Sequence, residues 1–236
     1  MRKVQTPSGP FAFRLYFEDL GEIDKICLEA LRLQSLLPSE PAPIRIERFV
    51  EKQFKAPLRY EDLGPQHLGC TIFNSSGAVE AILVSRLLEE QNTIPARRRV
   101  RSTIAHEAGH GLLHGSLFSE GNSGSPKNDA PGQKQPVILC RSEDILVDTQ
   151  RSYAGRWWEF QANQAMGSLL LPTALINGFL KRSGIEPSSF ASRVLTPTER
   201  EALIKKAAVI FDVNSIVVRI RLDSLFPQKK NEKVHL

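Results

Sequence analysis

The 236-residue sequence is short of cysteine, of long apolar runs and of repeats, and each shortage removes a class of protein. Its three cysteines, Cys27, Cys70 and Cys140, are odd in number and far apart. That pattern argues against a disulfide framework and fits a reducing compartment, so a cytoplasmic location is expected. No CxxC pair occurs, so a thiolate zinc site is not expected either. No apolar run reaches the roughly 18 residues that a membrane-spanning helix needs. Residues 1–17 are partly basic, but Arg14 interrupts their one aromatic stretch, which argues against a secretory signal. Strong charge of one sign is lacking too. Lys and Arg number 31 against 26 Asp and Glu, a net +5 that permits an acidic partner without specifying one. What remains is ordinary: 41% hydrophobic and 24% charged residues, the balance of a globular chain long enough to bury a core.

Periodicity divides the chain. Phe11–Phe17 alternates as a short strand, and Glu22–Leu37 places Ile23, Ile26, Cys27, Ala30, Leu31 and Leu33 at helical spacing. Pro38, Pro41 and Pro43 end that helix, and helical spacing resumes over Ile44–Phe54. Leu68–Asn74 and Ala78–Ser85 read as strands, with Asn74-Ser-Ser-Gly77 as the hairpin turn between them. Thr93-Ile94-Pro95 opens a helix running to about His114. Residues 115–136 hold 13 Gly, Pro, Ser or Asn in 22, the composition of a flexible surface loop. Val137–Arg141 reads as a strand, Gly155–Leu171 as a helix stopped by Pro172, and the chain from Thr196 as helical with a basic tail over Pro227–Leu236.

The chemistry lies in Arg97–His114, which contains His106-Glu107-Ala108-Gly109-His110. On a helix, positions four apart fall about 40° from each other, so both imidazoles reach one ion. Glu107 lies on an adjacent part of the helix, close enough to act as general base on a metal-bound water without being a ligand. Neutral imidazoles suit Zn²⁺, which takes three protein ligands in catalytic sites and leaves one position open. Such a donor set also accepts Mn²⁺. Gly109 and Gly111 are poor helix formers, but they let another element approach closely. Trp157 and Trp158 suit core anchoring beside this helix.

The third ligand must come from elsewhere. His114 lies about 80° round the helix from His106, which suits a supporting or packing role better than ligation. Leu113 and Ser116 stand where the extended metzincin pattern needs Gly and His, so that subclass is excluded. Glu120, Asp129, Glu143, Asp144, Asp148 and Glu159 are the available carboxylates. Glu159 is favoured because it sits on a helix, shares a side with Asn163, and rigid elements hold ligands better than loops. Tyr153, Arg156 and His114 are candidate oxyanion donors, and Arg99 and Thr103 share the helical stripe of His106.

Three segments together, Arg101–His114, Trp158–Pro172 and, more weakly, Phe211–Leu225, resemble the ImmA/IrrE family of zinc-dependent metallo-endopeptidases. The resemblance extends over about Pro43–Phe226. It implies an α+β, mostly helical, zincin-like domain with a small antiparallel sheet. In such a domain the HExxH helix packs against a second ligand-bearing helix, and an HTH-like helical segment follows. It assigns His106, His110 and Glu159 to zinc and Glu107 to catalysis. The expected organisation is an N-terminal extension over 1–42, a metallopeptidase domain over 43–185 carrying the loop 115–136, and a C-terminal helical segment over 186–236. Members of the family cleave helix-turn-helix repressors, so a protein of that kind is the expected substrate. The loop 115–136, directly after the metal helix, is a candidate lid.

A second expectation belongs to another class. Glu199–Phe211 and Ser215–Phe226 around Asp212–Asn214 resemble a helix-turn-helix, and Arg97, Arg98, Arg99, Arg101, Arg219, Arg221, Lys229, Lys230 and Lys233 offer phosphate contacts. A DNA-binding regulator without catalysis is therefore the alternative. It is less favoured, because Ile216, Val217, Ile220 and Leu222 look like core and leave few side chains to read bases.

Overall fold

The computed structural model describes residues 2–5, 13–118, 137–141, 156–189 and 195–226, and it is α+β. Strands β1 (Arg2–Gln5) and β2 (Phe13–Tyr16) form a separate antiparallel ribbon. Helix α1 (Leu20–Leu33) buries Ile23, Cys27, Ala30 and Leu31. It stops short of the expected Leu37 because Ser35 turns the chain with φ at 55°. Helix α2 (Ile46–Phe54) turns Ile46, Phe49 and Val50 inward.

A four-stranded sheet follows, built from β3 (Leu58–Glu61), β4 (His67–Phe73), β5 (Val79–Ser85) and β6 (Val137–Arg141) in the order β3-β5-β4-β6. The β4–β5 hairpin closes as its sequence predicts. Asn74 Oδ1 accepts from the backbone N–H groups of Ser76 and Ala78, each at 3.0 Å, and Gly77 takes a φ of 81°. The sheet is mixed, however, and not antiparallel throughout. β3 runs parallel to β5, with Leu58 opposite Ile82. Nearly all of β5 is buried, so both its edges need backbone partners, and the chain after Pro57 supplies the second.

After the short α3 (Arg86–Glu89), helix α4 (Ile94–Leu113) carries the HExxH segment. Thr93 caps it, accepting from Ala96 N–H at 3.2 Å, and Pro95 occupies the first turn. From Ser102 to His110 every residue of α4 is buried, so this helix is the centre of the molecule rather than an amphipathic surface element. Helix α5 (Trp157–Leu170) packs along it, followed by α6 (Thr173–Arg182), α7 (Pro197–Ile210) and α8 (Ser215–Leu225). A capping box between Thr196 and Glu199 starts α7, and Asp212, at φ 49°, turns the chain into α8.

The buried apolar side chains of α1, α2, the sheet and α4 to α8 form one cluster. Within it Gly109 sets the spacing of α4 and α5: a Cβ there would stand 2.9 Å from Ala165 Cβ and 3.0 Å from the Ala162 carbonyl. The loop expected from Gly115 begins instead as a packed turn, with Phe118 buried and stacked on Phe73 at 4.4 Å. The rest of that loop and the basic tail from Pro227 lie outside the described residues. Among the described residues no helix is long and apolar enough to cross a membrane.

Candidate metal centre

Helices α4 and α5 bring His106, His110 and Glu159 together, the group among the described residues able to hold a metal ion. His106 Nε2 lies 3.0 Å from Glu159 Oε2 and 3.1 Å from His110 Nε2, and the third edge, His110 Nε2 to Glu159 Oε2, is 3.5 Å. Ligands about 2.0–2.1 Å from a tetrahedral zinc ion stand roughly 3.3 Å apart, so these edges fit the ion. The donor chemistry fits as well. His106 Nδ1 donates to Asn163 Oδ1 at 2.9 Å, which turns its Nε2 toward the carboxylate, 3.0 Å away. The site is dry, with both histidines fully buried and Glu159 only 5% exposed.

Electrostatics follow from that burial. Desolvation, opposed by Glu159, holds His110 below the ordinary histidine range. His114, equally buried and next to His110, is lowered to about 3. Burial pushes the Glu159 carboxyl up, but His110 and His106 outweigh it and leave the group ionised, below the usual carboxylate range. A carboxylate oxygen and two imidazole nitrogens converging on one point are the donor set that a divalent cation selects.

The Glu107 carboxylate meets the sheet at β4. Its Oε2 accepts from Thr71 Oγ1 at 2.6 Å, and the residue is fully buried. Gly69 of β4 makes room for it, since a Cβ at that position would lie 2.6 Å from Glu107 Oε1 and 2.7 Å from Thr103 Cγ2. Thr103 thus shares the sheet-facing side of α4 with Glu107.

His114 is not a ligand. Both of its ring nitrogens are engaged, Nδ1 with His110 Nδ1 at 2.9 Å and Nε2 with Gln161 Oε1 at 3.1 Å, which removes it as an oxyanion donor. Trp157 meets the His114 ring edge-to-face at 5.6 Å and is buried, as core anchoring predicts. Arg156 is half-buried at the start of α5; Tyr153, Glu120, Asp129, Glu143, Asp144 and Asp148 lie outside the described residues. Thr71 and Gln161 were not legible as site residues. The only signal for Gln161 is a polar side chain on a helix that is buried nearly all round.

The basic surface is depleted by internal pairing. Arg98 and Arg101 meet Asp212 at 3.0 and 3.6 Å, Arg219 meets Glu201 at 2.7 Å, and Arg221, only 3% exposed, meets Asp24 at 2.9 Å. On α8 Val217, Val218 and Leu222 are core, whereas Ile216, expected there, is exposed. Compared with known proteins, the chain matches no family model and no curated sequence.

Proposed function

We propose that this chain is a zinc-dependent endopeptidase that cleaves a peptide bond in a specific protein, a helix-turn-helix transcriptional repressor. The observation that carries the catalytic part is the triangle of His106, His110 and Glu159, with edges of 3.0, 3.1 and 3.5 Å, one residue from Glu107 on the same helix. The substrate class rests on the resemblance of Arg101–His114 and Trp158–Pro172 to the ImmA/IrrE segments. His106, His110 and Glu159 would hold the ion, zinc before manganese. When bound, the ion supplies a Lewis acid that acidifies water and polarises the scissile carbonyl. Glu107 takes a proton at its carboxylate and returns it to the leaving amine. Thr71 fixes that carboxylate through its hydroxyl.

The test is incubation of the protein with the product of an adjacent repressor-like gene, with and without chelator. A chelator-sensitive fragment is expected, and Glu107→Gln should bind zinc but yield no fragment. Absence of cleavage by the zinc-loaded wild type, or cleavage by the Gln variant, counts against the proposal. DNA binding is the weaker alternative, because Arg98, Arg101, Arg219 and Arg221 among the arginines it needs are spent on Asp212, Glu201 and Asp24. A gel shift at low salt separates the two.

A further inference from the structure

We propose that His114 and Gln161 are positioning residues that fix the tautomer of His110, and that the polarity of their hydrogen bonds is set by the main-chain carbonyl of Leu15. The proposal rests on the assignment of His106, His110 and Glu159 as a metal centre.

The polarity runs inward from β2. A carbonyl oxygen only accepts, so the 2.8 Å contact between Gln161 Nε2 and Leu15 O requires the amide nitrogen of Gln161 to face Leu15. The amide oxygen is thereby turned toward His114, 3.1 Å from Nε2. That oxygen also only accepts, so His114 carries its proton on Nε2. A neutral imidazole has one N–H, which leaves His114 Nδ1 as an acceptor. Its neighbour at 2.9 Å is His110 Nδ1, which must therefore be the protonated nitrogen. With its proton held at Nδ1, His110 turns Nε2 toward the triangle, 3.1 Å from His106 Nε2 and 3.5 Å from Glu159 Oε2. Each of the three links from Leu15 to His110 has one donor and one acceptor, and reversing any one of them places two acceptors or two N–H groups against each other.

Two consequences follow. First, the Nδ1 proton of His110 is pinned away from the triangle, so Nε2 is the nitrogen offered to a cation, the orientation that outer-shell partners of metal histidines favour. Second, the group that sets the polarity belongs to residues 1–42, outside the stretch that resembles the peptidase family. The β1–β2 ribbon therefore contributes to the metal site through a backbone atom, although Leu15 itself is an ordinary buried apolar residue. Sequence comparison of side chains would not reveal that contribution.

The experiment uses the full-length chain. Nitrogen-15 NMR of labelled histidines reads the tautomer in metal-free protein, and competition with a chromophoric chelator reads Zn²⁺ affinity in wild type and Gln161→Met. The expected wild-type pattern is His114 protonated at Nε2 and His110 at Nδ1. In Gln161→Met the fixed pattern should be lost and zinc affinity should fall about 10- to 100-fold. The opposite tautomer in wild type overturns the proposal, and so does a folded Gln161→Met protein with unchanged affinity. Should that variant fail to fold, the wild-type tautomer alone decides. Failure of the metal assignment is distinguishable: wild type would then bind no zinc, whatever its tautomers.

Discussion

The hydroxyl of Thr71 and the carboxylate of Glu107 lie 2.6 Å apart, which ties the sheet to the one acidic residue of the HExxH segment. Both side chains are fully buried, and the same hydroxyl lies 3.1 Å from the Glu107 main-chain carbonyl. A hydroxyl has one proton, and the shorter contact, to the carboxyl oxygen, claims it. Helix α4 is therefore held against β4 at the residue proposed to move protons.

Thr71→Val keeps the shape and removes that donor. Loss of a hydrogen bond to a buried charged acceptor should lower stability by about 1–3 kcal/mol. If Glu107 is the base, kcat for cleavage should fall about 10- to 100-fold, part of the 10²- to 10⁴-fold that a positioned base contributes, while KM stays unchanged. Thr71→Ser should restore most of the activity. An active Val variant with unchanged kcat would separate Thr71 from the chemistry.

Gly69→Ala tests the same contact from the strand. The added Cβ would fall 2.6 Å from Glu107 Oε1 and 2.9 Å from Glu107 Cγ, so the carboxylate must shift. Overpacking of this kind costs about 1–3 kcal/mol, and thermal unfolding should show it. Zinc affinity should hardly change, because the triangle of donors lies on the α5 side.

Gly109→Ala is the complementary case. Removing a glycine from a helix interior favours the helix by about 1 kcal/mol. Here the new methyl would meet the Ala162 carbonyl at 3.0 Å, and a backbone atom in a packed helix cannot step aside. The strain of about 1–3 kcal/mol wins. Because α5 carries Glu159 and Asn163, separation of α4 from α5 should weaken zinc binding as well as stability. Chelator competition and thermal melts check the two effects separately.

Some of this was legible in residues and some was not, for physical reasons. The β4–β5 hairpin and α4 announce themselves through local chemistry: Asn74 bonding its own turn, Thr93 capping, Pro95 in a first turn. His106 and His110 were legible because a four-residue helical spacing puts two imidazoles on one face, and Glu159 because it stands on a helix rather than in a loop. The parallel pairing of β3 was hidden, since Leu58–Glu61 has only four residues and its partner edge is a tertiary fact. Gln161 and Leu15 were hidden for a stronger reason. One looks like any helix residue, and the other acts through a carbonyl that every sequence contains.

Arg221 on α8 was expected to face a phosphate and instead links three segments. It reaches Asp24 of α1, the Leu171 carbonyl and the Thr173 hydroxyl. Removing one member of such a largely buried pair costs about 3–5 kcal/mol, so Arg221→Met should destabilise strongly, with the lower figure fitting a partly exposed Asp24. Asp24 is pushed up by burial but more than compensated by Arg221 and its hydroxyl partners, so its pKa ends below the usual value. A depressed carboxyl pKa contributes stability that is present above the unfolded-state value and lost as pH falls through the folded one. The Arg221→Met penalty should therefore be full at neutral pH and shrink below about pH 4. A penalty that stays constant through that range would show that the pair is not ionised as described.

The metal-free site should make the protein acid-sensitive at a higher pH than Asp24 does. His114 is lowered to about 3 by burial and by its neighbour His110, which is itself lowered by burial. In the unfolded chain both titrate near 6.5, so on acidification the unfolded state binds their protons first. Stability then rises with pH wherever the unfolded state holds more protons, which for His114 is the window from about 6.5 down to about 3. His114 contributes a slope of up to about 1.4 kcal/mol per pH unit in that window, and His110 adds to it in the same direction. Replacing His114 by Phe should remove its share of the slope even though it also removes the acceptor for His110 Nδ1–H. Denaturant unfolding of the chelated protein between pH 7 and pH 4 measures this directly. A His114→Phe protein with the wild-type slope would mean that His114 is already protonated in the folded state, which would also reverse the hydrogen-bond polarity assigned to it.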